Sequence, residues 1–215
     1  MADYLNKLRF PAGLGGPLAL LLLCGSLQFL QSPFPDAFLY ERSTIASGHW
    51  WRLLSGHLVH TNVAHLLLNS AGIFALWLVF GRSALLGRRH SATKYLGLVT
   101  LLSLLISSGL WFWFPDVDNY YGISGVLHGL FCFGAVSDLS QRRWSGALLL
   151  AGCAGKVAWE WVVGPSAATG ALIEADVAIS SHLLGAICGT LLALFLWITA
   201  DGFSWRRQSQ IDCSP

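Results

Sequence analysis

The chain has 215 residues, 54% of them hydrophobic and only 11% charged, with a formal net charge of +2. Ordinary soluble domains carry roughly 25% charged residues, and bilayer-length apolar stretches recur here, so a soluble domain is excluded and a polytopic membrane protein indicated. Five cysteines, an odd number, imply no disulfide framework, and no nucleic-acid partner is expected.

Six spans are predicted, at about 14–30, 57–80, 94–114, 124–137, 145–163 and 177–199. Lys7 and Arg9 precede the first apolar run as in a signal peptide, but no small-residue cleavage site follows, so that run is expected to remain as the first span. The long 31–56 segment, aromatic and lightly charged, reads as a hairpin partly embedded in the interface. Cys24, Cys132, Cys153 and Cys188 fall in apolar stretches and read as small packing residues, while Cys213 sits in a polar tail. Trp50, Trp51, Trp111, Trp113, Tyr120, Trp144, Trp161 and Trp197 lie near span ends, as in interfacial belts.

Charge fixes the orientation. Lys7, Arg9, Arg82, Arg88, Arg89, Lys94, Arg142, Arg143, Arg206 and Arg207, ten of the 13 basic residues, fall on one side. The positive-inside rule puts that side and both termini in the cytoplasm. The loop before Ser124 and the loop at 164–176 then face outward, and they carry acids but no Lys or Arg.

The second span is polar in its first half, with His57, His60, His65 and Asn69. Such groups inside a span face a bundle interior or a wet cavity and are functional candidates by default. Counted at 1.5 Å per residue, His65 lies about 12 Å down its span and His182 about 8 Å down the sixth. Ser124 opens a short apolar helix between Gly122 and Gly125 and must start roughly 10 Å below the surface if that helix is to reach the far face. Three independent counts thus converge on one depth. Gly125 and Gly129, with Ser181, Gly185 and Gly189, form small-xxx-small faces that would let the fourth and sixth spans touch. That contact would set His182 beside Ser124.

A serine hydroxyl becomes a nucleophile when a base takes its proton, and neutral histidine suits that task. No intramembrane carboxylate is obviously placed to orient His182, so a dyad is expected and not a triad. His65 and Asn69, with backbone N–H groups near Ser124, would stabilise an oxyanion. No metal and no other cofactor are expected, because the histidines lack H-E-x-x-H spacing and have no carboxylate among them. Lys156 and Glu160, spaced i, i+4, read either as a paired strut or as the lining of a substrate or acceptor pocket.

At these residues the chain resembles the rhomboid family of intramembrane serine proteases. The motifs are Gly122-Ile-Ser-Gly125, His60-xxxx-His65-xxx-Asn69, His182-xx-Gly185-xxx-Gly189, and Trp51-Arg52 before the second span. The resemblance covers about 50–199 and implies Ser124 as nucleophile, His182 as general base, His65 and Asn69 as oxyanion donors and His60 as a structural neighbour. His128 stands where many rhomboids carry a tyrosine, and could either stack on His182 or compete with it as base. The short chain, without a soluble N-terminal domain, and the GISGVLHG wording are most similar to the bacterial rhombosortase subgroup, associated with secreted proteins bearing a C-terminal Gly-Gly motif, apolar helix and basic tail.

The expectation is therefore an all-α polytopic protein: a compact six-transmembrane-helix, rhomboid-like bundle of one domain over 1–215, with core 50–199 and cytoplasmic tails at 1–13 and 200–215. It would lie in a bacterial inner membrane and cleave membrane-anchored substrates at a Gly-Gly-type site, by hydrolysis or by acyl transfer to a lipid amine drawn by Glu160 and the acidic loops. A non-catalytic helix-binding relative and a small transporter are the competing classes; intact Ser124 and His182 disfavour the first, and the lack of visible repeats the second.

Overall fold

The computed structural model describes residues 13–31, 33–34, 36–80 and 92–211, with side chains described through residue 199. Lys7, Arg9, Arg82, Arg88, Arg89 and Cys213 lie outside the described residues, as do the side chains of Arg206 and Arg207. In chain order the elements are α1 (Gly15–Gln31), β1 (Tyr40–Glu41), α2 (Arg42–Ala46), α3 (Arg52–Ser55), α4 (Val63–Phe80), α5 (Ala92–Trp113), β2 (Asn119–Tyr120), α6 (Ser124–Ser140), α7 (Ser145–Val163), α8 (Ala167–Ile173) and α9 (Ile179–Ile211). The protein is an all-α polytopic membrane protein. The six longer helices fall on the six predicted stretches; α4, α5, α7 and Ile179–Thr199 of α9 are long and apolar enough to cross a membrane. Their outward faces carry exposed Leu67, Leu78, Leu148, Val162, Leu191 and Phe195, the arrangement that a lipid solvent favours and water penalises.

At 17 residues, α6 is short, yet it is the helix the others enclose. Val126, Gly129, Leu130, Phe133, Ala135 and Val136 are all buried, and it packs most extensively on α9 and next on α7. Apolar residues on all its faces explain this, since such a helix has no side to turn to water. Its glycines set the spacing. A Cβ at Gly185 would strike the carbonyl oxygen of Gly125, and one at Gly189 that of Gly129, so α9 lies directly on the α6 backbone.

Four expectations change. The helix predicted from residue 57 starts at Val63, because the Asn62 side chain accepts from His65 N at 2.8 Å and caps it there. His57 and His60 therefore sit in the non-helical lead-in, which removes the rise-per-residue basis of the depth assigned to His65. The 31–56 segment is not a hairpin. It forms two helical turns and a strand, β1, that pairs antiparallel with β2 (Tyr40 opposite Tyr120). Arginines hold it: Arg42 donates to the carbonyls of Leu110, Trp111 and Phe114 at 2.8–3.0 Å, tying the segment to the C-terminal end of α5 and the turn after it. Arg52, buried, donates to Leu39 O at 3.0 Å. Tyr120 is also buried, at 1% exposure, and is no interfacial anchor. Finally, α9 continues past residue 199 to Ile211.

Candidate active site

The start of α6 is built by the strand pair beside it. With β2 fixed on β1, Gly122 N donates to Gly56 O at 3.0 Å and the Tyr120 hydroxyl donates to Gly122 O. Burial pushes the Tyr120 phenol above its usual range, so it keeps the proton it donates. Gly122 has φ +93°, and a Cβ there would strike the His65 ring. Only glycine meets both conditions. Two residues later Ser124 begins the helix, half-buried, where the first backbone N–H groups have no intrahelical partner.

His182, 5% exposed, enters from the first turn of α9, and its Nε2 lies 2.9 Å from Ser124 Oγ. Its Nδ1 lies 2.9 Å from Glu160 Oε2 on α7. This corrects the expectation that no carboxylate is placed to orient His182. Lys156 joins the group: Nζ lies 2.9 Å from Glu160 Oε2, 2.8 Å from His128 Nε2 and 3.4 Å from His182 Nδ1. The Lys156–Glu160 pair is thus part of the site and not a remote strut. The signal for it was in the sequence, since Glu160 lies three residues from the C-terminal end of its span, about 5 Å in, near the depth counted for His182 from the N-terminal end of the next long helix.

His128 stacks on His182, with ring centroids 4.2 Å apart and planes 21° from parallel. Its Nδ1 is 2.8 Å from Ser124 O, an acceptor only, so Nδ1 carries the hydrogen and Nε2 accepts from Lys156. Both nitrogens are engaged, which leaves His128 no lone pair for Ser124.

His65 and Asn69, both buried on α4, face Gly122. Thr61 Oγ1 donates to Ile173 O at 2.6 Å, so it accepts from His65 Nδ1 at 3.1 Å. Neutral His65 then turns a bare Nε2 toward Gly122, and becomes a donor there only when protonated. Asn69 Nδ2 is buried without a hydrogen-bond partner. His60 is fully buried and meets the His65 ring edge-on at 5.0 Å. Thr61, which no motif in the sequence marks, ties α4 to α8.

A cavity of about 560 Å³ runs from these groups between α4, α6 and α7, with Gly72, Leu76, Leu127 and Phe131 among its apolar walls. His128, Glu160 and His182 bring potential ligand atoms within 4.8 Å of one another, so a carboxylate does stand among the histidines, contrary to the premise on which a metal was discounted. The Lys156 ammonium already contacts all three and supplies the positive charge that such a cluster attracts.

A family model described as a Rhomboid domain matches residues 47–199. Rhomboid protease GluP of Bacillus subtilis (strain 168) is 34% identical over 105 residues, 48% of this chain and 19% of that protein. Putative rhomboid protease YdcA of the same strain is 32% identical over 87 residues, 40% of this chain and 41% of that protein. The chain spans less than half the length of these curated relatives.

Proposed function

This chain belongs to the rhomboid family, and on that premise we propose that it is an intramembrane serine endopeptidase with Ser124 as nucleophile and His182 as general base. The carrying observation is the 2.9 Å contact between His182 Nε2 and Ser124 Oγ at a glycine-flanked helix start. In this reading Ser124 Oγ bonds to the scissile carbonyl carbon as its proton moves to Nε2. The carbonyl oxygen becomes an oxyanion, held by Asn69 Nδ2 and the backbone N–H groups at the start of α6. His182 returns the proton to the departing amine, leaving an acyl-enzyme, and then activates a water to release the acid. A membrane-helix binder has no need of an activated hydroxyl, and a transporter none of an unpartnered amide beside one.

The substrate is a membrane-anchored protein, cut at the outer end of its span. A helical backbone shields its carbonyls in lipid, so the segment must unwind, and glycine lowers that cost because it is a poor helix former. Unwinding favours small, poor helix formers at the cut; a Gly-Gly-type site at a C-terminal anchor rests in addition on the resemblance to the rhombosortase subgroup. Pocket size gives it no support, because a 560 Å³ cavity admits larger residues. Hydrolysis alone is the default. Transfer to a lipid amine rests on Glu160 and the acidic loops at 115–118 and 174–176; Glu160 Oε2 already holds Lys156 and faces His182, which leaves the loops to draw the amine. The enzyme would sit in a bacterial inner membrane with both termini in the cytoplasm.

The test is a fluorophosphonate probe, together with cleavage of a single-span model protein carrying Gly-Gly at the outer end of its C-terminal anchor, both in proteoliposomes. Labelling and cleavage are expected in the wild type and absent in Ser124→Ala and His182→Ala. Turnover by Ser124→Ala would overturn the mechanism.

A further inference from the structure

We propose that Glu160 is a positioning residue that completes a Ser124–His182–Glu160 triad, with Lys156 holding its charge; this rests on the serine-protease reading above. An ionised carboxylate only accepts. With Glu160 Oε2 2.9 Å from His182 Nδ1, that nitrogen must carry the proton, because the other tautomer would set two lone pairs against each other. Nε2 is then the bare nitrogen, and it faces Ser124 Oγ at 2.9 Å. The carboxylate on one side of the ring therefore fixes which nitrogen can act as base on the other.

Lys156 makes this necessary. Two of its three hydrogens have close acceptors, His128 Nε2 at 2.8 Å and Glu160 Oε2 at 2.9 Å. The nearest acceptor for a third would be His182 Nδ1, at 3.4 Å. Without the carboxylate the ammonium would donate to Nδ1, move the ring hydrogen to Nε2 and disarm the base. With it, Nδ1 keeps its hydrogen and the pair adds no net charge to the site. As Oγ attacks, its proton goes to Nε2, the Nδ1 proton stays where it is, and Glu160 stays ionised opposite the new imidazolium. The groups facing His182 are Ser124 and His128 from α6, Lys156 and Glu160 from α7, and the His65 ring from α4. Glu160 is the one carboxylate among them.

Inactivation by a fluorophosphonate needs no known substrate and reads the activated hydroxyl directly. In full-length protein in proteoliposomes, Glu160→Leu should lower the maximal inactivation rate about 10²–10⁴-fold, in the range of a triad with its ring in the wrong tautomer, with half-saturation by the probe unchanged. Glu160→Gln should fall as well, because its amide N–H can donate to Nδ1 and hold the ring in the wrong tautomer. If Glu160 served only to neutralise Lys156, removing both charges in Glu160→Leu with Lys156→Met would restore the full rate. Adding Lys156→Met to Glu160→Leu should recover part of the rate, because the competing donor is gone. Solid-state NMR of ¹⁵N-histidine-labelled wild type, assigned by difference with His182→Ala, should show Nδ1 protonated and Nε2 bare. Wild-type inactivation rates in Glu160→Leu, full recovery in the double variant, or a protonated Nε2 would each overturn the triad. Labelling that persists in Ser124→Ala would instead overturn the protease reading beneath it.

Discussion

Each polar side chain in the site is defined by what its other end touches. His128 and His182 are adjacent imidazoles stacked face to face, and composition alone does not say which is the base. His128 has Ser124 O on one nitrogen and Lys156 on the other, whereas His182 has a bare Nε2 on Ser124 Oγ. His128→Ala should therefore keep measurable cleavage of the model substrate where His182→Ala has none; an inactive His128→Ala beside an active His182→Ala would reverse the assignment. The same reasoning separates the two oxyanion candidates. Asn69 presents an unpartnered N–H in the resting site and neutral His65 does not. Asn69→Ala should cost roughly 10²–10³ in kcat, as for one oxyanion donor, with KM little changed, and His65→Ala should cost less. Equal losses, or a loss confined to KM, would contradict this division. The residue types and their i, i+4 spacing on α4 were legible in the sequence. The tautomers were not, because each depends on a partner distant in sequence: Ile173 through Thr61, and Glu160 across two helices.

Between elements, the contact that matters is α6 on α9. His182 reaches Ser124 because glycines at 125, 129, 185 and 189 let two backbones touch, and a methyl group has no room at 125, 185 or 189. Gly185→Ala should separate the helices, lower thermal stability by about 1–3 kcal/mol as overpacking does, and cut cleavage on the order of 10²-fold through misplacement of the base. Gly155→Ala is the control: on α7 nothing lies within 4 Å of the added Cβ, and neither stability nor activity should fall. Similar behaviour of the two variants would show that the close approach is dispensable. The small-xxx-small pattern announced this contact from sequence. What the pattern could not announce was the strand pair β1–β2, because a two-residue strand has no periodicity to read, and its partner lies nearly 80 residues away.

For the molecule as a whole, the site lies at the end of the bundle where Asp116, Asp118, Glu174 and Asp176 occupy loops free of Lys and Arg. Reporter fusions after Arg89, Arg143 and Arg207 should read cytoplasm, and fusions near Asp118 and Ala168 the outside; an outside reading at Arg89 would turn the active face to the wrong side of the membrane. The sequence by itself determined the membrane class and the order of the six long helices. Lipid imposes those features locally: length, apolarity and small-residue spacing are properties of one segment at a time. Tertiary structure alone decided that Glu160 meets His182, that Lys156 supplies the cluster's cation, and that His128 is engaged at both nitrogens. Those outcomes depend on how α6, α7 and α9 are rotated about their own axes, and a hydrogen bond is made or lost within about 0.5 Å. A uniformly apolar helix such as α6 carries no stripe in its sequence to fix that rotation.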